Sequence, residues 1–174
     1  MYIAISFVMA VIPSVLLVCY YYRQDNKKPE PKGLVIKIFI LGIVCVIPVI
    51  FLESLACLFN RMFAWSPVLF NMVRAFIVAG FCEEFIKLRV VKIYAYNDIH
   101  FDEVMDGIVY TVVASLGFAC IENIIYVMST NLQVAVFRAV TAVPMHAVCS
   151  GLMGYYIGKA KFCRIRERGE YLYL

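Results

Sequence analysis

The chain has 174 residues, of which 64% are hydrophobic and only 16% are charged. Soluble globular domains are about half apolar and about a quarter charged, so this composition excludes an ordinary soluble domain. The net charge of +4 comes from basic residues near the ends of apolar runs, where they set membrane topology, and it gives no support to a nucleic-acid partner. We therefore expect a multi-pass protein of the cell membrane, in contact with the lipid bilayer, in which residues 1–174 form a single domain.

Five apolar runs follow one another along the chain, and each approaches or exceeds the roughly 20 residues that a helix needs to cross a bilayer. They cover residues 2–22, 34–59, 68 to about 96, 104–128 and 134–158. The predicted fold is all-α, a bundle of about five transmembrane helices. Lysine and arginine concentrate in the first and third loops and in the C-terminal tail, whereas the opposite loops hold Arg61 alone. The positive-inside rule then places the N-terminus outside and the C-terminus in the cytoplasm.

The third run holds the stretch Glu83-Glu84-x-x-Lys87, in which both carboxylates lie within about one helical turn of the lysine. Glu122 in the fourth run and Arg138 in the fifth bring further charges into apolar segments. At about 2.5–3.5 kcal/mol each, these charges would oppose insertion by roughly 12–18 kcal/mol if they faced lipid unpaired. That exceeds the total stability of a typical domain, about 5–15 kcal/mol. We therefore expect these side chains to face one another or a water-filled cavity.

Two interpretations fit Glu-Glu-x-x-Lys. In the structural one, a buried ion pair holds the third helix to a neighbour, for which one carboxylate and Lys87 would suffice. In the functional one, the adjacent carboxylate adds a like charge that has to be neutralised, and one of the two acts as a general base toward a water molecule. The presence of both Glu83 and Glu84 favours the functional interpretation, with Lys87 setting their charge state.

Polar residues in the fourth and fifth runs extend the candidate site. Phe118 lies one helical turn before Glu122-Asn123, so that an aromatic ring and a carboxylate share a face; the alternative is a polar residue near the outer interface. A lone histidine such as His146 is more often an interhelical hydrogen-bond partner. Beside three glutamates, its ability to exchange protons near neutral pH favours a catalytic role. Ser150 lies one turn beyond and can donate a hydrogen bond from the same face.

Other residues of the apolar runs are interpreted as structural. Gly154-x-x-x-Gly158 predicts a face on which a neighbouring helix packs closely. Arg74 and Arg138 are expected near the outer surface, where their side chains can extend to the interface. Glu53 is expected to pair with one of these two arginines.

Taken in order, the motifs resemble those of the PrsW family of intramembrane proteases. The resemblance rests on Glu-Glu-x-x-Lys at 83–87, Gly-Phe-x-x-x-Glu-Asn at 117–123, and His146 on the next helix. The loop 25–32 with its Pro-Glu-Pro and Asp106-Gly107 at the start of the fourth helix are similar to that family too. The resemblance implies an intramembrane endopeptidase that makes the site-1 cut in a single-span, membrane-anchored anti-sigma factor, which leads to release of a sigma factor.

The wider superfamily includes the CAAX prenyl proteases, and the resemblance to them implies roles for single residues. By position, Glu83 would activate the water and His146 would face the oxyanion. Glu122 stands where the CAAX enzymes have their first histidine, and Ser150 stands where they have an asparagine.

Peptide hydrolysis needs an activated water, a proton donor for the leaving amine and a donor to the oxyanion. The candidate catalytic residues are Glu83, Glu84, Glu122 and His146, with supporting roles for Lys87, Asn123 and Ser150. The same three carboxylates and imidazole are also candidate ligands for a divalent metal such as zinc. Both a metal-free glutamate protease and a metalloprotease therefore stay open, and the single histidine favours the metal-free form.

Two other functions remain as alternatives. A small ion- or proton-coupled transporter would also use intramembrane carboxylates, and it predicts ion flux without cleavage. The sequence shows no inverted repeat that would support it. A non-catalytic scaffold that holds a partner helix through its small-residue faces would keep its function when the glutamates are replaced by glutamine.

Overall fold

The computed structural model describes residues 2–24, 28–63, 66–129 and 132–167. Within these ranges every regular element is helical, which confirms the all-α prediction there. In chain order the elements are α1 (Tyr2–Gln24), α2 (Lys32–Val44), α3 (Val46–Phe63), α4 (Pro67–Met72), a π-helix (Val73–Glu83), α5 (Glu84–Tyr94), α6 (Val104–Ser129), α7 (Leu132–Val140) and α8 (Ala142–Glu167). Residues 25–27 of the first loop and the end of the basic tail, which enter the topology prediction, lie outside the described residues.

Among the described residues, four segments are long and apolar enough to cross a membrane. They are Phe7–Gln24, Lys32–Phe63, Val104–Met128 and Val136–Cys163. They coincide with the first, second, fourth and fifth predicted spans, as expected of a multi-pass membrane protein. The predicted third span corresponds to the helical stretch from 67 to 94, which is not one of the four and is rich in ionisable residues. The count of five spans and the orientation of the termini therefore stay predictions.

The core of the bundle is α6, which packs against α8, α2 and α1. Its middle turns are fully buried, and glycines allow the neighbouring backbones to come close. A Cβ atom on Gly158 would lie 2.8 Å from the carbonyl oxygen of Val104, and one on Gly154 would collide with Gly107. The predicted close packing of Gly154-x-x-x-Gly158 is therefore confirmed, because only glycine leaves room for the α6 backbone at these positions.

Two of the long apolar segments are divided by a break that a proline explains. α2 ends at Val44, four residues before Pro48, and α7 ends at Val140, four residues before Pro144. Proline has no N–H to donate to the carbonyl four residues earlier, and its ring crowds that carbonyl. As a result, each of these apolar segments is interrupted by one residue, Cys45 in the first and Thr141 in the second.

The stretch that carries Glu-Glu-x-x-Lys changes its helical type along its length. α4 runs directly into the π-helix, and the π-helix runs directly into α5. A π-helix is rare in proteins and is frequently found at functional sites. Glu83 is its last residue and Glu84 is the first residue of α5, so the two carboxylates lie at the junction.

Candidate functional site

The centre of the candidate site is the ammonium group of Lys87. This side chain is completely buried, and its Nζ atom lies 2.8 Å from Oε1 of Glu84, 3.4 Å from Oε2 of Glu83 and 3.1 Å from Nδ1 of His146. The same Nζ atom lies over the ring of Phe118, 4.1 Å from the ring centroid. An ammonium has three N–H donors, and each finds one acceptor here. Lys87 therefore joins the residues of three separate helices.

The position of Lys87 determines the protonation of the imidazole of His146. Because an ammonium can only donate, Nδ1 of His146 must be the acceptor, and the ring proton is assigned to Nε2. Nε2 lies 3.1 Å from Oε2 of Glu122 and donates to it. Both ring nitrogens are thus engaged, one by a cation and one by a carboxylate, which holds His146 between α5 and α6.

Arg138 is part of this cluster, and its side chain is paired inside the bundle instead of extending to the interface as predicted. Its Nη2 lies 2.6 Å from Oε2 of Glu122, its Nε lies 2.7 Å from Oδ1 of Asn123, and the guanidinium lies 4.0 Å from the ring of Tyr126. The reason is the packing of α7 on α1, α6 and α8, which brings Arg138 next to Glu122 and Asn123 of α6. The other interfacial prediction, an ion pair of Glu53 with one arginine, is confirmed with Arg74.

Hydrogen bonds from α6 to the backbone of α8 hold His146 and Ser150 in place. Thr111 Oγ1 donates to the carbonyl of Ser150 at 2.7 Å, and Ser115 Oγ donates to the carbonyl of His146 at 3.1 Å. Ser150 is itself buried, and its Oγ donates to Oε2 of Glu84 at 3.1 Å. Sequence reasoning predicted Ser150 as a donor but missed Thr111 and Ser115, whose four-residue spacing on an apolar helix was an available signal.

Glu83 borders two cavities, one on each side of the π-helix. The first, of about 520 Å³, lies between α3, the π-helix and α6, and Glu122 also lines it. The second, of about 320 Å³, lies between the π-helix and α8, and Glu84 and His146 also line it. The four predicted catalytic residues are therefore brought together and each reaches a cavity, while their chemical roles stay predictions.

The charges of the cluster do not cancel. Glu83, Glu84 and Glu122 are three carboxylates, whereas Lys87 and Arg138 are two fixed cations and the assigned tautomer of His146 is neutral. The cluster therefore has one more carboxylate than it has fixed cations, and an ionised carboxylate can accept a proton as a general base. Among the described residues, no three His, Cys, Asp or Glu side chains are arranged to hold one metal ion.

Comparison with known proteins gives a family for the chain. A family model described as "PrsW family intramembrane metalloprotease" matches residues 30–173. The chain is 38% identical over 163 residues to Protease PrsW of Geobacillus kaustophilus, covering 94% of this chain and 69% of that protein. It is 35% identical over 164 residues to Protease PrsW of Bacillus subtilis (94% and 72%) and 36% identical over 173 residues to that of Clostridioides difficile (97% and 71%). No solved structure matches.

The matched region contains every member of the cluster around Lys87, from the two carboxylates at the end of the π-helix to His146 and Ser150 on α8. The resemblance that the motifs indicated is thus confirmed over most of the chain. This protein belongs to the PrsW family of intramembrane metalloproteases.

Proposed function

We propose that this protein is an intramembrane endopeptidase in which Glu83 activates the water that hydrolyses a peptide bond of a single-span membrane substrate. Membership of the family supports peptide hydrolysis as the reaction. The choice of Glu83 as the group that activates water rests on its surroundings. Within the described residues, the only hydrogen bond of its carboxylate is the 3.4 Å contact with Lys87. Glu84 bonds Lys87 and Ser150, and Glu122 bonds Arg138 and His146. Glu83 therefore makes the fewest hydrogen bonds of the three carboxylates, and it is the one of the three that lines both cavities, where it can bind a water.

The chemistry follows from this position. A water in either cavity gives its proton to Glu83 while its oxygen attacks the carbonyl carbon of the scissile bond. The carbonyl oxygen takes up the negative charge, and Glu83 then passes the proton to the leaving nitrogen as the carbon–nitrogen bond breaks. Lys87 keeps the carboxylates of Glu83 and Glu84 apart and oriented.

His146 is the proposed donor to the oxyanion. Its Nε2–H donates to Glu122 in the absence of substrate. Glu122 also accepts a 2.6 Å bond from Arg138, so it keeps a charged partner when His146 turns its N–H toward the substrate. A donor aimed at the oxyanion contributes about 2.7–4 kcal/mol to lowering the barrier in other hydrolases.

The description of the family implies a metal ion, and the arrangement of the donors tests whether one fits. Carboxylates and an imidazole are suitable zinc ligands in their chemistry. Here, however, the Lys87 ammonium lies within hydrogen-bond distance of Glu83, Glu84 and His146 at once. A divalent cation among these three groups would meet a buried positive charge at the same place. The residues as arranged do not fit a metal, and no step above uses one.

The substrate is proposed from the resemblance to the PrsW family. We propose a membrane-anchored anti-sigma factor with a single span, cut at site 1 by this protein in the cell membrane. Co-expression with a candidate anti-sigma factor, followed by detection of the shortened fragment, tests this choice. Replacement of the candidate by an unrelated single-span protein is the control, and equal cleavage of both would contradict it.

The reaction itself is tested by purified protein in liposomes that contain a single-span substrate. Glu83→Gln, Glu84→Gln, Glu122→Gln and His146→Ala are compared singly with Glu103→Gln, which removes a carboxylate outside the cluster. A general base contributes about 10²–10⁴-fold, so Glu83→Gln is expected to lose cleavage by that factor. Proton or ion flux without cleavage in the same liposomes would favour the transporter alternative instead.

A further inference from the structure

Two neighbouring cavities lie along α3, and one of them ends at the candidate catalytic carboxylates. The cavity of about 520 Å³ that reaches Glu83 and Glu122 adjoins another of about 620 Å³ that reaches Arg61 near the end of α3. The two cavities meet at the ion pair of Glu53 and Arg74, which lines both of them. We call the combined feature the α3 groove. It exists because α3, set apart by the break before it, packs mainly on the π-helix and only slightly on α6.

One face of α3 borders this groove over most of the length of the helix. The residues on that face recur every three or four positions, and they include Val46, Val49, Ile50, Glu53, Cys57 and Arg61. From Val46 to Arg61 an α-helix rises about 22 Å. An extended chain covers that distance with about six or seven residues. The opposite face of α3 carries exposed large apolar side chains, among them Leu55 and Phe59, as expected for contact with lipid.

The polar residues of the groove indicate the conformation of its occupant. A transmembrane helix satisfies its own backbone hydrogen bonds, whereas an extended chain at membrane depth needs donors and acceptors from the protein. The mostly apolar groove supplies them at Glu53, Ser54, Asn71 and Arg74. Both side chains of the Glu53–Arg74 pair are about two-fifths exposed, so each has polar surface that a bound chain can contact.

We propose that the α3 groove binds an extended apolar stretch of the substrate on its way to Glu83, and that Glu53 and Arg74 separate to hydrogen-bond its backbone. The inference rests on the proposed function, since the groove matters because it leads to the carboxylate that activates water. It adds the binding mode: the substrate segment must leave the helical state before it is cut. A segment that resists unwinding would not enter.

The experiment uses the Glu83→Gln protein in liposomes with a photo-crosslinking residue, p-benzoylphenylalanine, at single positions of α3. Ile50 and Arg61 face the groove, and Leu55 and Phe59 are the matched controls on the opposite face of the helix; all four are exposed. Two synthetic biotinylated peptides serve as probes. Each has a leucine–alanine span of roughly 20 residues, and one of them is interrupted by Gly-Ser-Gly-Ser. Thermal unfolding in detergent verifies that each labelled protein is folded.

The interrupted peptide is expected to label Ile50 and Arg61 on the order of tenfold more strongly than Leu55 and Phe59, which corresponds to about 1.4 kcal/mol of preference for the groove. The uninterrupted helix is expected to lose this preference. Equal labelling of both faces of α3, or equal labelling by the uninterrupted helix, would overturn the proposal. Groove labelling without cleavage by the wild-type protein would refute the proposed function alone, and cleavage without groove labelling would refute the groove alone.

Discussion

The Nζ atom of Lys87 lies 3.1 Å from Nδ1 of His146, and this one contact defines how the candidate site is organised. It assigns the Nε2–H tautomer, which in turn directs an N–H group at Glu122. The same ammonium bonds Glu83 and Glu84. A single buried lysine thus holds an imidazole and two carboxylates together in one cluster.

Lys87→Met is expected to destabilise the protein by about 3–5 kcal/mol, because removal of one partner leaves buried charges uncompensated. It also frees Glu83, Glu84 and Nδ1 of His146 as three adjacent ligands, so the variant is expected to bind more zinc than the wild-type protein. Unfolding in detergent and elemental analysis after dialysis measure the two effects. Lys92→Met, which removes an exposed lysine from the same helix, is the control. Unchanged stability with no gain of zinc would contradict the central position of Lys87.

Arg138→Met is expected to lower both stability and cleavage, because Glu122 and Asn123 lose their charged donor together. A hydrogen bond to a charged group contributes about 1.5–3 kcal/mol, which sets the expected loss of stability. Arg138→Lys keeps the charge but not both bonds, and an intermediate result is expected. Thermal unfolding and the liposome assay give the two readouts. A variant with wild-type behaviour in both would show that Arg138 belongs to the surface after all.

Gly117→Ala tests the close approach of α2 to α6. A Cβ atom at Gly117 would collide with the carbonyl of Phe39, whereas one at Gly33 would meet nothing within 4 Å. Overpacking of this kind is expected to destabilise the protein by about 1–3 kcal/mol. Gly33→Ala, the matched control near the start of α2, is expected to be neutral or to stabilise the helix by up to about 1 kcal/mol. Equal unfolding temperatures for the two variants would contradict the packing.

The sequence predicts those features of this architecture that follow from the chemistry of individual residues. It does not predict those that depend on how distant helices pack together. The convergence of Glu83, Glu84, Lys87, Glu122 and His146 could be expected, because ionisable groups in apolar helices must pair or reach water. The position of Arg138 could not be predicted from the sequence, because it depends on how α7 packs against α1, α6 and α8. The π-helix is likewise set by packing and has no composition signal of its own.

Glu30, which lies outside the candidate site, is another residue whose environment could not be predicted from the sequence. The sequence places it in a polar loop between two prolines, where exposure is the ordinary expectation. In the structure its side chain is buried, it accepts a hydrogen bond from the hydroxyl of Tyr110, and its carbonyl accepts one from Tyr22 at 3.0 Å. The partners lie on α6 and α1, far along the chain, so only the assembled bundle reveals the contact.

Glu53→Gln and Arg74→Gln are expected to weaken substrate binding without changing the chemical step. Loss of one net hydrogen bond of about 0.5–1.5 kcal/mol raises KM by roughly 2- to 12-fold. Because neither residue is part of the cluster around Lys87, kcat is expected to stay close to the wild-type value. Steady-state cleavage in liposomes separates the two parameters, with Glu103→Gln as control. A fall in kcat at constant KM would contradict a role in binding.

The central claim is that Glu83 activates the hydrolytic water, and single-turnover cleavage of a single-span substrate in chelator-treated liposomes tests it most directly. Wild-type protein and Glu103→Gln are expected to cleave at equal rates, while Glu83→Gln is expected to be slower by about 10²–10⁴-fold and to remain folded. Cleavage by Glu83→Gln at the wild-type rate, or loss of wild-type cleavage on chelation with recovery on return of zinc, would contradict the account.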